Sequence, residues 1–188
     1  MHIVQRLLLL PVLLLAVGCG SHGAFTLAGG FRVMQEANGI VAFQRGQIDG
    51  DSHESYYDAL LEFAESRNIK VVIVDGLVNE KDAPIYGRFW KGKPALIELR
   101  SGLSPNALVN TFAHELGHYF QPTEIDEDFS KNQVFAEAVG EGYCARIGLV
   151  SWRSAYYYLS WWPDPAQTIL QYQTQIDAAV ETLLEASR

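Results

Sequence analysis

The segment that most restricts this chain runs Thr111-Phe112-Ala113-His114-Glu115-Leu116-Gly117-His118-Tyr119-Phe120. On an α-helix, residues four apart project from one face. The imidazoles of His114 and His118 can therefore converge on a single ion while the Glu115 carboxylate stands beside it. The flanking residues predict that helix. Ser104-Pro105 supplies an N-cap followed by proline at the first helical position, and Leu108, Phe112, Leu116 and Tyr119 recur at helical spacing as a core-facing stripe. The two histidines fall off the stripe, toward a second face.

A second helix is expected to begin between Lys131 and Val134 and to carry Glu137 and Glu141 through a run of small and apolar residues that ends near Leu149. Two carboxylates one turn apart in such surroundings are costly to bury without a cation to answer them. A zinc ion held by His114 and His118 would be that cation. Catalytic zinc takes three protein ligands and keeps one position open, so Glu137 is expected as the third ligand, with Glu141 accepting from a histidine ring nitrogen. The inverse assignment, with Glu141 on the metal, remains open. Between the two helices, Glu124, Asp126, Glu127 and Asp128 make an acidic loop, read as solvated or as a negative rim to the cleft.

The amino-terminal end has one basic residue, Arg6, then an apolar run from Leu7 to Val17, then Gly18-Cys19. This is the pattern of a secretory signal over residues 1–18, and a cysteine directly after a small residue resembles a bacterial lipobox, which makes Cys19 the expected lipidation site. Residues 19–30 then read as a glycine-rich tether, and residues 31–188 as one domain with a core large enough to fold unaided. Loss of Arg6 with the signal takes the basic residues from 14 to 13 against 22 acidic ones, a formal charge of −9. Such a surface excludes nucleic acid as an expected partner. The other cysteine, Cys144, sits in an apolar helical pattern and reads as a small buried side chain.

Within the domain, Gly39 to Phe43 is a strand candidate, and a helix is expected from about Asp51 to Arg67 with Tyr57, Leu60, Leu61 and Ala64 buried. Lys70 to Asp75 is a β-branched run expected as a covered inner strand. Pro84 to Trp90 and Ala95 to Leu99 follow, joined by a tight connection at Lys91-Gly92-Lys93-Pro94. Ala95-Leu96-Ile97-Glu98-Leu99, just before the histidine helix, is the candidate edge strand on which an extended peptide could pair. Ser154 to Trp162 reads as a short aromatic helix, and Ile169 to Leu184 as one long amphipathic scaffold helix. The expected class is α+β, with a small mixed sheet, an edge strand above the histidine helix and a glutamate-bearing helix after it.

His114-Glu115-Leu116-Gly117-His118 followed by Glu137-Ala138-Val139-Gly140-Glu141 resembles the compact gluzincin metallopeptidases. The likeness extends to the metallopeptidase domain of ArdC-type antirestriction proteins and to the ImmA/IrrE peptidases. It covers the second half of the chain and includes Ile147-Gly148 and Ala155 to Trp162. Glu141-Gly142-Tyr143 is similar to the Glu-Gly-aromatic segment of aminopeptidase-type zincins, which is the ground for the inverse ligand assignment. The lipoprotein signal and the lack of a nucleic-acid-binding partner domain depart from the ArdC pattern.

The resemblance implies a zincin-like fold and peptide-bond hydrolysis, with Glu115 as general base toward a metal-activated water. Tyr143, Tyr156, Tyr157 and Tyr158 are the candidate oxyanion donors. The expected protein is a monomeric zinc peptidase, exported and lipid-anchored to the bacterial cell envelope, on the periplasmic side of the outer membrane where the cell has one. The competing expectation is a non-catalytic zincin-fold module of the envelope that binds a partner through its cleft. The chain has no histidine-rich tract of the kind expected for zinc storage.

Overall fold

A computed structural model describes residues 48–150 and 164–188, together with the backbone of Phe25–Leu27 (β1) and Phe31–Val33 (β2). The signal segment, Cys19, the Gly39–Phe43 strand candidate and the Ser154–Trp162 segment with Tyr156, Tyr157 and Tyr158 lie outside the described residues. Strands β1 and β2 pair antiparallel. Phe25–Leu27, read from the sequence as part of a tether, is therefore a strand.

The elements that follow are α1 (Glu54–Ser66), β3 (Ile69–Val74), β4 (Gly87–Trp90), β5 (Ala95–Arg100), α2 (Pro105–Phe120), α3 (Phe129–Ile147), α4 (Pro165–Gln171) and α5 (Gln173–Ala186). The protein is α+β, with five described helices and a small mixed sheet. None of the described helices is long and apolar enough to cross a membrane.

The sheet order is β3-β5-β4, with β3 parallel and β4 antiparallel to β5. This exchanges two sequence expectations. Ala95–Leu99 is the central strand and not an edge, because all six residues of β3 pair along one side of β5 while Gly87–Trp90 pairs along the other. Ile69–Val74, expected as an inner strand, is an outer one among the described residues, with Ile73 exposed. Its β-branched composition reflects the helix layer it packs on, through Ile69, and not a pair of flanking strands.

Helix α2 begins as its sequence dictates. The Ser104 hydroxyl accepts from Ala107 N at 3.2 Å and donates to Ile48 O at 2.6 Å, and Pro105 opens the first turn. The next residue, Asn106, is buried; its side chain accepts from His53 N at 3.0 Å and donates to Asp49 O at 2.9 Å, tying the start of α2 to the start of α1. Val109, Phe112 and Leu116 turn into the core with Leu60 and Phe63 of α1 and Ile97 and Leu99 of β5. Tyr119, expected on that stripe, is exposed; Phe120 takes the inward place and stacks on Phe63 with ring centroids 5.8 Å apart.

Helix α3 starts at Phe129, capped by Asp128, whose side chain accepts from Lys131 N at 3.1 Å. The carboxyl-terminal amphipathic run is two helices, not one, broken at Tyr172, where φ is −110° and ψ 16°. Cys144 is buried, as its neighbours predict.

The contact that positions the site is between α2 and α3. A Cβ on Gly117 would lie 2.7 Å from the Ala136 Cα, and one on Gly140 would lie 3.0 Å from the His114 N. The two backbones therefore touch at His114 and at Gly117, within the span of the histidine pair, with no side chain between them. Gly117→Ala is expected to force the helices apart and to cost roughly 1–3 kcal/mol, as overpacking of a close contact does. Urea denaturation should show a lower midpoint; an unchanged midpoint would contradict so close an approach.

Candidate active site

His114, Glu115 and His118 occupy the middle and last turns of α2, where it faces α3 on one side and β4 on the other. The two imidazoles meet edge to face with centroids 5.0 Å apart. Glu137 of α3 reaches His114, its Oε2 lying 2.7 Å from Nδ1. An ionised carboxylate only accepts, so His114 carries a proton on the Nδ1 that faces Glu137, and it acts on Glu115 and His118 as a positive charge. Glu137 thus makes the histidine contact that the sequence reading gave to Glu141. Glu141 lies one turn further along α3, partly buried.

His118 is equally constrained. Its Nδ1 lies 3.4 Å from Gln121 Oε1, its Nε2 lies 3.4 Å from Gln133 Nε2, and the Phe89 ring of β4 stacks over it at 6.4 Å. Burial, reinforced by the neighbouring His114, lowers its pKa to about 3 against contributions from Gln121 and Asn132. Across the neutral range the ring is an uncharged donor. Beside it stands the buried Asn132 side chain, which acts on the ring without a hydrogen bond of good geometry from its Oδ1.

Glu115 is 5% exposed. Burial raises its pKa to about 7; Glu137 pushes it the same way, while His114 and Arg88 pull it down. Strand β4 lies directly on it. A Cβ at Gly87 would come within 2.5 Å of Glu115 Oε1 and 2.8 Å of Thr111 Cγ2, so only glycine fits there. Two residues on, Phe89 covers His118. The outer strand that runs along the histidine face is therefore β4 (Gly87–Trp90), and not Ala95–Leu99.

Tyr143 does not serve as an oxyanion donor. It is fully buried in the core, its hydroxyl bonded at 2.7 Å to Ser187 Oγ, which donates in turn to Leu183 O of α5. Burial pushes the phenol up to about 12. The acidic loop is also more than solvated charge, since Asp126 pairs with Lys91 and accepts from Gln121 Nε2 at 2.8 Å. Gly87, Phe89, Gln121, Asn132 and Gln133 had no signal in the sequence. Gln121, three after His118, and Gln133, four before Glu137, stand at helical intervals from a site residue.

Two nitrogen donors and a buried carboxylate suit a zinc ion in type, and the buried Asn132 side chain adds a polar group beside them. Among the described residues, no three His, Cys, Asp or Glu side chains are grouped where they could hold one metal ion. Compared with family models, with curated proteins and with solved structures, the chain matches none.

The Glu115 shift has a consequence in the metal-free protein. A folded-state pKa of about 7 against an ordinary 4.5 means that the native form holds a proton the unfolded chain releases. Stability is therefore fullest below the unfolded value and declines as pH rises through the folded one. Glu115→Gln, which cannot ionise, is expected to raise the urea midpoint relative to wild type at about pH 8 and to converge with it near pH 4. Equal midpoints at the higher pH would contradict a buried carboxylate there.

Proposed function

We propose that this protein is a zinc-dependent peptidase of gluzincin type that hydrolyses peptide bonds with Glu115 as general base. The observation that carries the reading is the pair of imidazoles on one helix, flanking a buried glutamate under an outer strand, with Nδ1 of each facing an oxygen of a neighbouring side chain. That arrangement leaves Nε2 of each ring as the atom a zinc ion would take, at His118 in place of the Gln133 amide that faces it at 3.4 Å. His114 and His118 would hold the metal, and the oxygen ligand is Glu137, turned from His114, or Glu141. A bound zinc ion would polarise the scissile carbonyl and activate water for attack.

The chain's own residues supply the rest. Glu115, with a proton affinity near neutrality, takes the proton of the attacking water and returns it to the leaving amine. Gly87 lets the β4 backbone sit against that carboxylate, so a peptide paired to the outer side of β4 would pass close to Glu115. Phe89 keeps the His118 ring in its plane. Cys19 as a lipid anchor, an envelope location, a monomeric state and a protein or peptide substrate belong to the same proposal and rest on the sequence.

One observation favours the second reading, a zincin-fold module that binds a partner without cutting it. The Glu137 carboxylate is committed to His114, which leaves the ligand set one oxygen short as it stands. The two readings separate at Glu115. Glu115→Gln is expected to keep about one zinc per chain while hydrolysis of a diverse peptide library falls by roughly 10²–10⁴-fold. Wild-type protein that holds zinc and cleaves nothing in the library would decide for the binding module.

A further inference from the structure

A line of polar contacts runs from the protein surface to His118. At its outer end Lys91, in the connection between β4 and β5, pairs with Asp126 Oδ2. Asp126 Oδ1 accepts from Gln121 Nε2 at 2.8 Å, and Gln121 Oε1 lies 3.4 Å from His118 Nδ1. On the far side of the ring, Gln133 Nε2 lies 3.4 Å from His118 Nε2.

Each contact dictates the polarity of the next. A carboxylate paired with a lysine can only accept, so Gln121 must turn its NH2 to Asp126 and its oxygen to the imidazole. An oxygen facing Nδ1 requires the proton on Nδ1. In a neutral ring the lone pair then sits on Nε2, where the Gln133 amide nitrogen faces it as a donor. The opposite tautomer would set lone pair against oxygen on one side and N–H against NH2 on the other. Two amides on different elements, one oriented by a charged pair 35 residues apart in sequence, therefore agree on one state of the ring.

We infer that Gln121, oriented by Asp126 and Lys91, is a positioning residue that locks His118 in its Nδ1–H tautomer, so that the lone pair stands on Nε2, the atom Gln133 faces. The same pair ties the tip of the β4–β5 connection to the loop after α2, which couples the outer end of β4 to the ring that Phe89 covers. The purpose of the lock rests on the zinc-peptidase reading, but its existence does not.

The test is the imidazole tautomer in metal-free, ¹⁵N-labelled protein near neutral pH, read from long-range ¹H–¹⁵N correlations. Wild-type His118 is expected as Nδ1–H. Gln121→Leu should lose that preference, and the double variant Gln121→Glu, Asp126→Asn, which keeps an acceptor oxygen toward the ring and an amide donor against it, should restore it. Zinc affinity, measured by chelator competition, should fall about 10–100-fold in Gln121→Leu and recover in that double variant. Should Gln121→Leu fail to fold, Asp126→Ala, on the loop surface, is expected to give a mixture of tautomers. An Nε2–H ring in wild type, or a tautomer indifferent to these changes, would overturn the inference. A tautomer that responds as described in a protein that binds no zinc would support the inference and sink the peptidase reading alone.

Discussion

The site exists because two helix backbones touch. Gly117 on α2 meets the Ala136 backbone of α3, and Gly140 on α3 meets the backbone of His114, so the helices lie closer than any side chain would permit. At that separation Glu137 spans the gap to His114 in a single 2.7 Å hydrogen bond, and Gln133 reaches His118 from the same helix. Small residues at a crossing give up little burial and gain proximity. The gain here falls at His114 and Gly117, within the histidine pair.

Proximity has an electrostatic price. Glu115, Glu137 and two imidazoles share one poorly solvated space, and Glu115 answers by holding its proton to about pH 7 while His118 refuses one until about pH 3. His114 is the larger of the two positive influences on Glu115. The smaller comes from Arg88, on the strand above, and Arg88 is occupied with Glu98 at 3.8 Å and with Val78 O. The protein's own cations thus leave the carboxylate's charge only partly answered.

Much of this was legible in the chain. The histidine helix, its Ser104-Pro105 start, the glutamate helix behind it and the burial of Cys144 follow from spacing, caps and apolar periodicity, which are local properties. What failed was long-range. Ala95–Leu99 and Ile69–Val74 are both apolar runs, and nothing within five residues says which one accepts partners on both edges; sheet order depends on which segments meet. Glu137 and Glu141 differ only by a turn, and which of them contacts His114 depends on how α3 lies against α2. Tyr143 shares a helix with Glu137 yet projects to the opposite side, where Ser187 waits 44 residues later. Gln121 and Asp126 looked like loop polarity because the lysine that orients them lies on another hairpin.

The most direct measurement of the central claim is zinc K-edge X-ray absorption on protein loaded with one equivalent of zinc. Two imidazole nitrogens from His114 and His118, at about 2.0–2.1 Å, with the remaining donors oxygen, are the coordination expected, and the imidazole scattering should vanish in the His114→Ala, His118→Ala double variant. A shell of oxygens alone, or an unchanged spectrum in that variant, would contradict the account.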